Sequence, residues 1–285
     1  VTRYFVFVYG TLRRHERNHY LLKDAELVAE QAWTEGKLFD TGFGYPALQE
    51  SAADVVYGEL YLVTEYQLHR LDELEGYSVK ARDNLYNRNI QLISHDTGIT
   101  KAYIYTIAKH NSHMLKTPIK SGDWKEYHLR KQDPILYFAY GSCMDHARFK
   151  LAKVDQYFQK VTGAGILNGY TLRYSVKMPD GGRADIVEEG GVVEGKVYEI
   201  PTDCVPYLYR REGVGSRLYR TTFVDLFING SVYKDVLTFT VVNKEAETAP
   251  PEHYSDEIIR GGTGFLSEAY LEKLKNHINI LCKQR

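Results

Sequence analysis

The chain has 285 residues, 44% of them hydrophobic, which as a prior is the length of roughly two domains with apolar residues enough for two cores. Its 36 basic and 37 acidic residues leave a formal net charge of -1. That balance argues against a nucleic-acid-binding surface or an arm for anionic membranes. No apolar run approaches the roughly 18 to 20 residues that span a bilayer, and the opening residues read as strand rather than signal peptide.

Three widely spaced cysteines, Cys143, Cys204 and Cys282, include no Cys-x-x-Cys pair. This usage predicts a reduced, cytoplasmic protein without disulfides or a cysteine zinc site. Near the N-terminus an apolar run, Phe5 to Val8, breaks at Tyr9-Gly10-Thr11-Leu12. The pattern predicts a buried strand ending in a turn that opens into a helix, with amides converging on one spot. Arg13 to Leu22 reads as a short helix or turn. A glycine-rich turn follows at Thr41 to Gly44, then a β-branched and aromatic strand from Val55 to Val63, with Gly58 as a bulge or close-approach point. Leu68, Leu71 and Leu74 recur at helical spacing over Gln67 to Glu75, and Gly76 stands where a C-terminal cap belongs. Two strands are predicted around Asn87 to Ile93 and Lys101 to Ile107.

The second half replays this order. Ile135 to Ala139 leads into Tyr140-Gly141-Ser142-Cys143, Val192 to Ile200 matches Val55 to Val63, and a helix over Asp203 to Arg211 runs into Glu212-Gly213. Tyr61 to Glu75 and Tyr198 to Glu212 are both separations of 14 residues. Matched order and spacing indicate two copies of one domain rather than a short-period solenoid. The joint lies in the polar segment from Thr117-Pro118 to Asp133-Pro134, whose Lys and Arg residues are expected to form a solvated face. We place the domains at residues 1–125 and 126–285. Asn229-Gly230, between apolar flanks, predicts a hairpin turn rather than a glycosylation site.

The turn and the Glu-Gly recur jointly. A partly buried carboxylate at the C-terminal end of a helix has its charged form disfavoured, which raises its pKa toward neutrality. A turn offering amides suits a carboxylate or an oxyanion. The pair fits acyl transfer with Glu75 or Glu212 moving the proton. Thr11 and Ser142 are poor nucleophile candidates, because no His stands in a paired position in both halves.

These residues carry a resemblance. Tyr9 to Leu12, Tyr45-Pro46-Ala47-Leu48, Val56 to Tyr61, Leu71 to Tyr77, Tyr86-Asn87-Arg88 and Gly122-Asp123-Trp124 resemble the AIG2-like branch of the gamma-glutamylcyclotransferase superfamily. Tyr137 to Ser142, Gly165 to Tyr170, Glu212-Gly213, Tyr219-Arg220 and Pro251 to Tyr254 are similar to its glutathione-acting style. The resemblance implies an α+β fold of two tandem domains, each a small mixed β-barrel flanked by helices. It also implies an acyltransferase that closes a small γ-glutamyl substrate to 5-oxoproline and releases an amine, without metal or cofactor. The family's proton acceptor maps to Glu75 and Glu212. Its substrate loop maps to Tyr9, Gly10, Thr11 and Leu12 in one copy and to Tyr140, Gly141, Ser142 and Cys143 in the other. The second copy departs from the family pattern at Cys143, where Asn is usual, and at Tyr209, where Asp is usual. The alternative is a non-catalytic module that binds a small amino-acid derivative or serves as an interaction scaffold.

Two further matches are set aside. His15-Glu16-Arg17-Asn18-His19 spells a zinc-protease motif, but its arginine-rich surroundings do not suit a metalloprotease helix. Gly261-Gly262-Thr263-Gly264 has no preceding strand and reads as a loop before a helix over Ser267 to Leu281.

Overall fold

The structure is a computed structural model and describes residues 2–284. It divides into two compact units, Val1–Leu129 and Arg130–Arg285. The first unit contains β1 (Arg3–Val8), β2 (Glu26–Glu35), β3 (Lys37–Asp40), β4 (Pro46–Gln49) and β5 (Val55–Thr64). These lead to α1 (Glu65–Leu74), β6 (Tyr86–His95), β7 (Gly98–Ile107), β8 (Thr117–Pro118) and α2 (Trp124–Leu129). Five of the strands close a barrel in the order β1-β5-β2-β6-β7, sealed by a parallel contact of Val6 with Tyr103.

The second unit contains β9 (Ile135–Ala139), α3 (His146–Leu151), β10 (Val161–Asn168), β11 (Thr171–Met178), β12 (Gly181–Val187) and β13 (Val192–Ile200). Then come α4 (Val205–Arg211), β14 (Tyr219–Ile228), β15 (Ser231–Val241), α5 (Glu252–Gly262) and α6 (Glu268–Lys283). Its barrel joins β9, β13, β10, β14 and β15 in the same circular order, and its parallel seam pairs Tyr137 with Leu237. Tyr137 lies three residues before Tyr140, as Val6 lies three before Tyr9. The repeat read from motifs is therefore a repeat of topology and register. The fold is α+β, two tandem mixed barrels with helices.

Both faces of β1 are buried, which is why its sequence is continuously apolar. Phe7 packs with Val56, Leu60 and Trp124, whereas Val6 and Val8 pack with Leu68 and Leu71 of α1. Gly58 is a close-approach point, because a Cβ there would lie 2.1 Å from the Val8 carbonyl oxygen. Gly195 holds the matching place, where a Cβ would lie 2.4 Å from the Ala139 carbonyl oxygen. Gly58→Ala is expected to destabilise the first unit by at least about 3 kcal/mol, since a backbone oxygen cannot yield as a side chain can. Urea unfolding followed by tryptophan fluorescence checks this, because Trp33 and Trp124, the chain's two tryptophans, both lie in the first unit.

Three expectations are corrected. The first turn does not open into an α-helix: residues 10–18 form successive turns, and only a 3-10 segment, His19–Leu22, follows. His15 sits at a positive φ of 66°, and Arg13 is drawn into the core, so the zinc-protease lookalike has no helix on which to align. The joint is not a solvated face throughout. Ile119, Asp123, Trp124, Lys125 and Leu129 are buried in the first unit, and α2 crosses the expected division at residue 125. Gly261 and Gly262 belong to α5 rather than to a loop. A Cβ at Gly261 would meet the Met144 and Asp145 backbone at 2.6 Å, so glycine lets α5 lie against the second turn. The Asn229-Gly230 hairpin joins β14 to β15, with both residues at positive φ.

Candidate active sites

In the first unit the chain leaves β1 at Tyr9, whose hydroxyl donates to the Tyr105 carbonyl at 2.7 Å. Across the turn, the Tyr86 hydroxyl donates to the Pro46 carbonyl at 3.0 Å. Helix α1 starts at a capping box made by Thr64 and Gln67 and ends with Glu75 as its C-terminal cap and Gly76 at φ 60°. Asp72, one turn earlier, accepts from the Tyr105 hydroxyl at 2.8 Å and from Arg88 at 2.5 Å. These contacts tie the end of α1 to the barrel and so fix where Glu75 points.

Glu75 faces a cavity of about 320 Å³, lined also by Tyr9, Gly10, Thr11, Leu12, Tyr45, Pro46, Leu74, Tyr86 and Tyr105. All four residues expected of the first substrate loop are therefore brought together with the expected carboxylate. Burial pushes the Glu75 carboxyl up to about 8. Among the described residues that carboxylate has no hydrogen bond or ion pair. Opposite it, the amides of Thr11 and Leu12 donate to no protein acceptor among the described residues. The Thr11 hydroxyl accepts from the Asn18 side chain at 2.9 Å, and His19 Nδ1 sits 3.1 Å from the Leu12 carbonyl. Among the described residues the Thr11 hydroxyl makes no hydrogen bond to a His or a carboxylate that could activate it as a nucleophile.

The turn is anchored from below by groups that look solvent-facing in the sequence or carry no motif there. Arg13, immediately after Leu12, is buried and bridges Glu59 at 3.2 Å and Asp123 at 2.8 Å. Lys125 Nζ lies 3.5 Å from Glu59, which also accepts the Arg14 amide at 2.8 Å and the Tyr61 hydroxyl at 2.9 Å. Burial opposes the charge on Glu59, yet Lys125, Arg13 and these hydrogen bonds hold its carboxyl down to about 2. A cation directly after an otherwise apolar turn was the available signal.

The second unit reproduces the frame. The Tyr140 hydroxyl donates to the Phe239 carbonyl at 2.5 Å, and the Tyr219 hydroxyl donates to the Ala184 carbonyl at 2.6 Å. Glu212 caps α4, and burial raises its pKa, but Arg211 and Cys143 pull it back. The position of Asp72 is taken by Tyr209, which meets Phe239 edge-on with ring centroids 6.1 Å apart. An aromatic contact thus replaces the Asp72–Tyr105 hydrogen bond. At the position of Glu59 stands Lys196, which donates to the Met144 carbonyl at 2.9 Å. The charge at this position is reversed, and the turn group it engages changes from an amide to a carbonyl.

The space differs sharply. The second cavity is about 40 Å³, room for about one water. Arg211, where the first unit has Leu74, donates through Nε to Cys143 Sγ at 2.9 Å and through Nη2 to Ser142 Oγ at 3.1 Å, and lies 3.7 Å from Glu212. Tyr254 of α5 accepts the Ala184 amide at 3.2 Å and lines the same space. Tyr140, Gly141, Ser142, Cys143 and Glu212 are thus brought together, but around the protein's own side chains. Burial raises the Cys143 thiol pKa, while Arg211 opposes that shift.

The fold and the two tyrosine-framed turns define a class, and comparison with known proteins agrees with it. Residues 6–126 match the family described as "Gamma-glutamyl cyclotransferase, AIG2-like", and residues 192–274 match the "AIG2-like family". The chain belongs to the AIG2-like gamma-glutamylcyclotransferase family. It is 46% identical over 98% of both chains to the Bacillus subtilis (strain 168) protein named "Putative gamma-glutamylcyclotransferase YkqA". The crystal structure of YkqA superposes with a TM-score of 0.89 over 98% of this chain and 99% of that one, at 45% identity. A "Gamma-L-glutamyl-butirosin B gamma-glutamyl cyclotransferase" of Niallia circulans is 38% identical over 46% of this chain and 81% of its own. Among the described residues no helix is long and apolar enough to cross a membrane.

Proposed function

We propose that the first unit converts a γ-glutamyl amine or peptide to 5-oxoproline and a free amine, with Glu75 as the proton carrier. The observation that carries this reading is the open cavity in which an unpaired carboxylate of raised pKa faces the unengaged amides of Thr11 and Leu12. The substrate supplies its own nucleophile. Its α-amine attacks the γ-carbonyl, a C–N bond forms within a five-membered ring, and the bond to the leaving amine breaks. Glu75 takes the proton from the α-ammonium and returns it to the departing nitrogen, so no water is consumed. The amides suit the substrate carboxylate or the oxyanion, and the tyrosine-lined walls hold the chain in a folded, near-attack geometry. The matched Niallia circulans enzyme supports the substrate class, since its name gives a γ-glutamyl compound, gamma-L-glutamyl-butirosin B.

Arg211 engages Ser142 and Cys143 of the second turn, and Tyr254 lines the small cavity beside them. We therefore assign turnover to the first unit and read the second as a site closed by its own side chains. The test is direct. The full chain incubated with γ-glutamyl amines, γ-glutamyl peptides and glutathione should release 5-oxoproline from at least one of them, detected chromatographically. No release from any of them would favour a binding module instead.

A further inference from the structure

The first cavity carries two formal charges among its described lining residues, Glu75 and Arg17. Arg17 is exposed at the mouth, and its Nη1 lies against the Gly42–Gly44 turn, 3.4 Å from where a Cβ on Gly44 would stand. Among the described residues it has no carboxylate partner. Unlike Arg13 and Arg14, which are committed to Glu59, Asp123 and Glu30, it is free to meet an anion from outside. The same lip is aromatic. Tyr45 lines the cavity, and the 63% exposed Phe43 stacks on it with centroids 6.2 Å apart.

The proposed reaction orients the substrate. If Glu75 and the Thr11 and Leu12 amides hold the glutamyl portion, the leaving amine extends to the mouth. We infer that Arg17 binds a carboxylate on the leaving amine, so that the substrates are γ-glutamyl amino acids with apolar side chains, the side chain lying on Phe43 and Tyr45. A guanidinium pairs a carboxylate through two parallel N–H···O bonds, and it repels a polycationic amine. The inference rests on the cyclotransferase reading, and it makes Arg17 a specificity residue for that site.

γ-Glutamyl-phenylalanine and its C-terminal amide differ only in the charge at issue. Both retain the glutamyl α-carboxylate. Wild type should favour the acid over the amide by about fivefold in kcat/KM, the size of one partly exposed charge pair. Arg17→Gln should bring that ratio to about one, and Arg17→Glu should invert it. A wild-type ratio of one or below, an unchanged ratio in Arg17→Gln, or an equal loss on both compounds would overturn the assignment. An equal loss would place Arg17 on the glutamyl end or in the fold. If neither compound yields 5-oxoproline, the cyclotransferase reading is contradicted for this substrate class, and calorimetric binding of the same pair reads Arg17 instead. A preference for the acid that vanishes in Arg17→Gln supports it. No binding, or no preference, overturns it.

Discussion

Glu75→Gln in the full chain is expected to lower 5-oxoproline release by about 10²- to 10⁴-fold, the usual contribution of a positioned general base. Glu212→Gln should leave the rate close to wild type. The asymmetry follows from the two surroundings. Glu75 is half-buried without a partner beside an open cavity, whereas Glu212 shares its space with Arg211 and Cys143 beside a cavity of about 40 Å³. The same substitution should stabilise the first unit. With its pKa raised from 4.5 to about 8, the folded chain keeps a proton that the unfolded chain loses. Stability from this group is fully present below about pH 4.5 and is lost as pH rises through about 8, on the order of 2–4 kcal/mol after discounting for partial exposure. Glu75→Gln should therefore gain stability over wild type as pH rises across that window. Urea unfolding read by tryptophan fluorescence at several pH values measures it. A loss of activity with no pH-dependent gain would mean that Glu75 is not held against its ionisation.

Arg13→Met is expected to destabilise the first unit by about 3–5 kcal/mol, because it leaves two buried carboxylates with one buried cation. Glu59 and Asp123 are both nearly inaccessible, and the remaining buried cation, Lys125, has its ammonium 3.5 Å from Glu59. The loss should show as a lower urea midpoint in tryptophan fluorescence, with no matching shift in a probe of the second unit. Activity should fall further than unfolding explains, since Arg13 follows Leu12 directly and a displacement of about 1 Å in the amide-bearing turn can cost about 10²-fold. Arg13→Lys keeps the charge but cannot bridge Glu59 and Asp123 in the same fork, and an intermediate loss is expected. A variant as stable as wild type would show that water or a shifted side chain replaces the guanidinium.

The parts of the site legible in the sequence were those with local signatures. An apolar run breaking at Tyr-Gly, leucines at helical spacing before Glu-Gly, and the same order in both halves are patterns along the chain. They led to the strands, the turns, the carboxylates and the doubling, whereas the barrels followed only from the family resemblance. The rest depends on what meets across the fold. Arg13 looks solvated beside Arg14 and His15, and its burial is set by Glu59 and Asp123, 46 and 110 residues away. Gly261 and Gly262 read as a loop because no strand precedes them, but close packing of α5 on the second turn holds both in a helix despite glycine's low helix propensity. The hold of Arg211 on Ser142 and Cys143, and the place of Tyr254 in the wall of the small second cavity, could not be read from Cys143 alone, although the substitution of Tyr209 for the usual Asp marked the place where that site differs.

The most direct test of Glu75 as the proton carrier is the pH dependence of kcat/KM for 5-oxoproline release. In wild type and in Glu212→Gln, kcat/KM should rise with pH and level off as the Glu75 carboxyl, held at about 8, ionises. In Glu75→Gln that limb should be absent from the residual rate. A profile with no inflection near 8, or one that persists unchanged in Glu75→Gln and disappears in Glu212→Gln, would contradict the assignment.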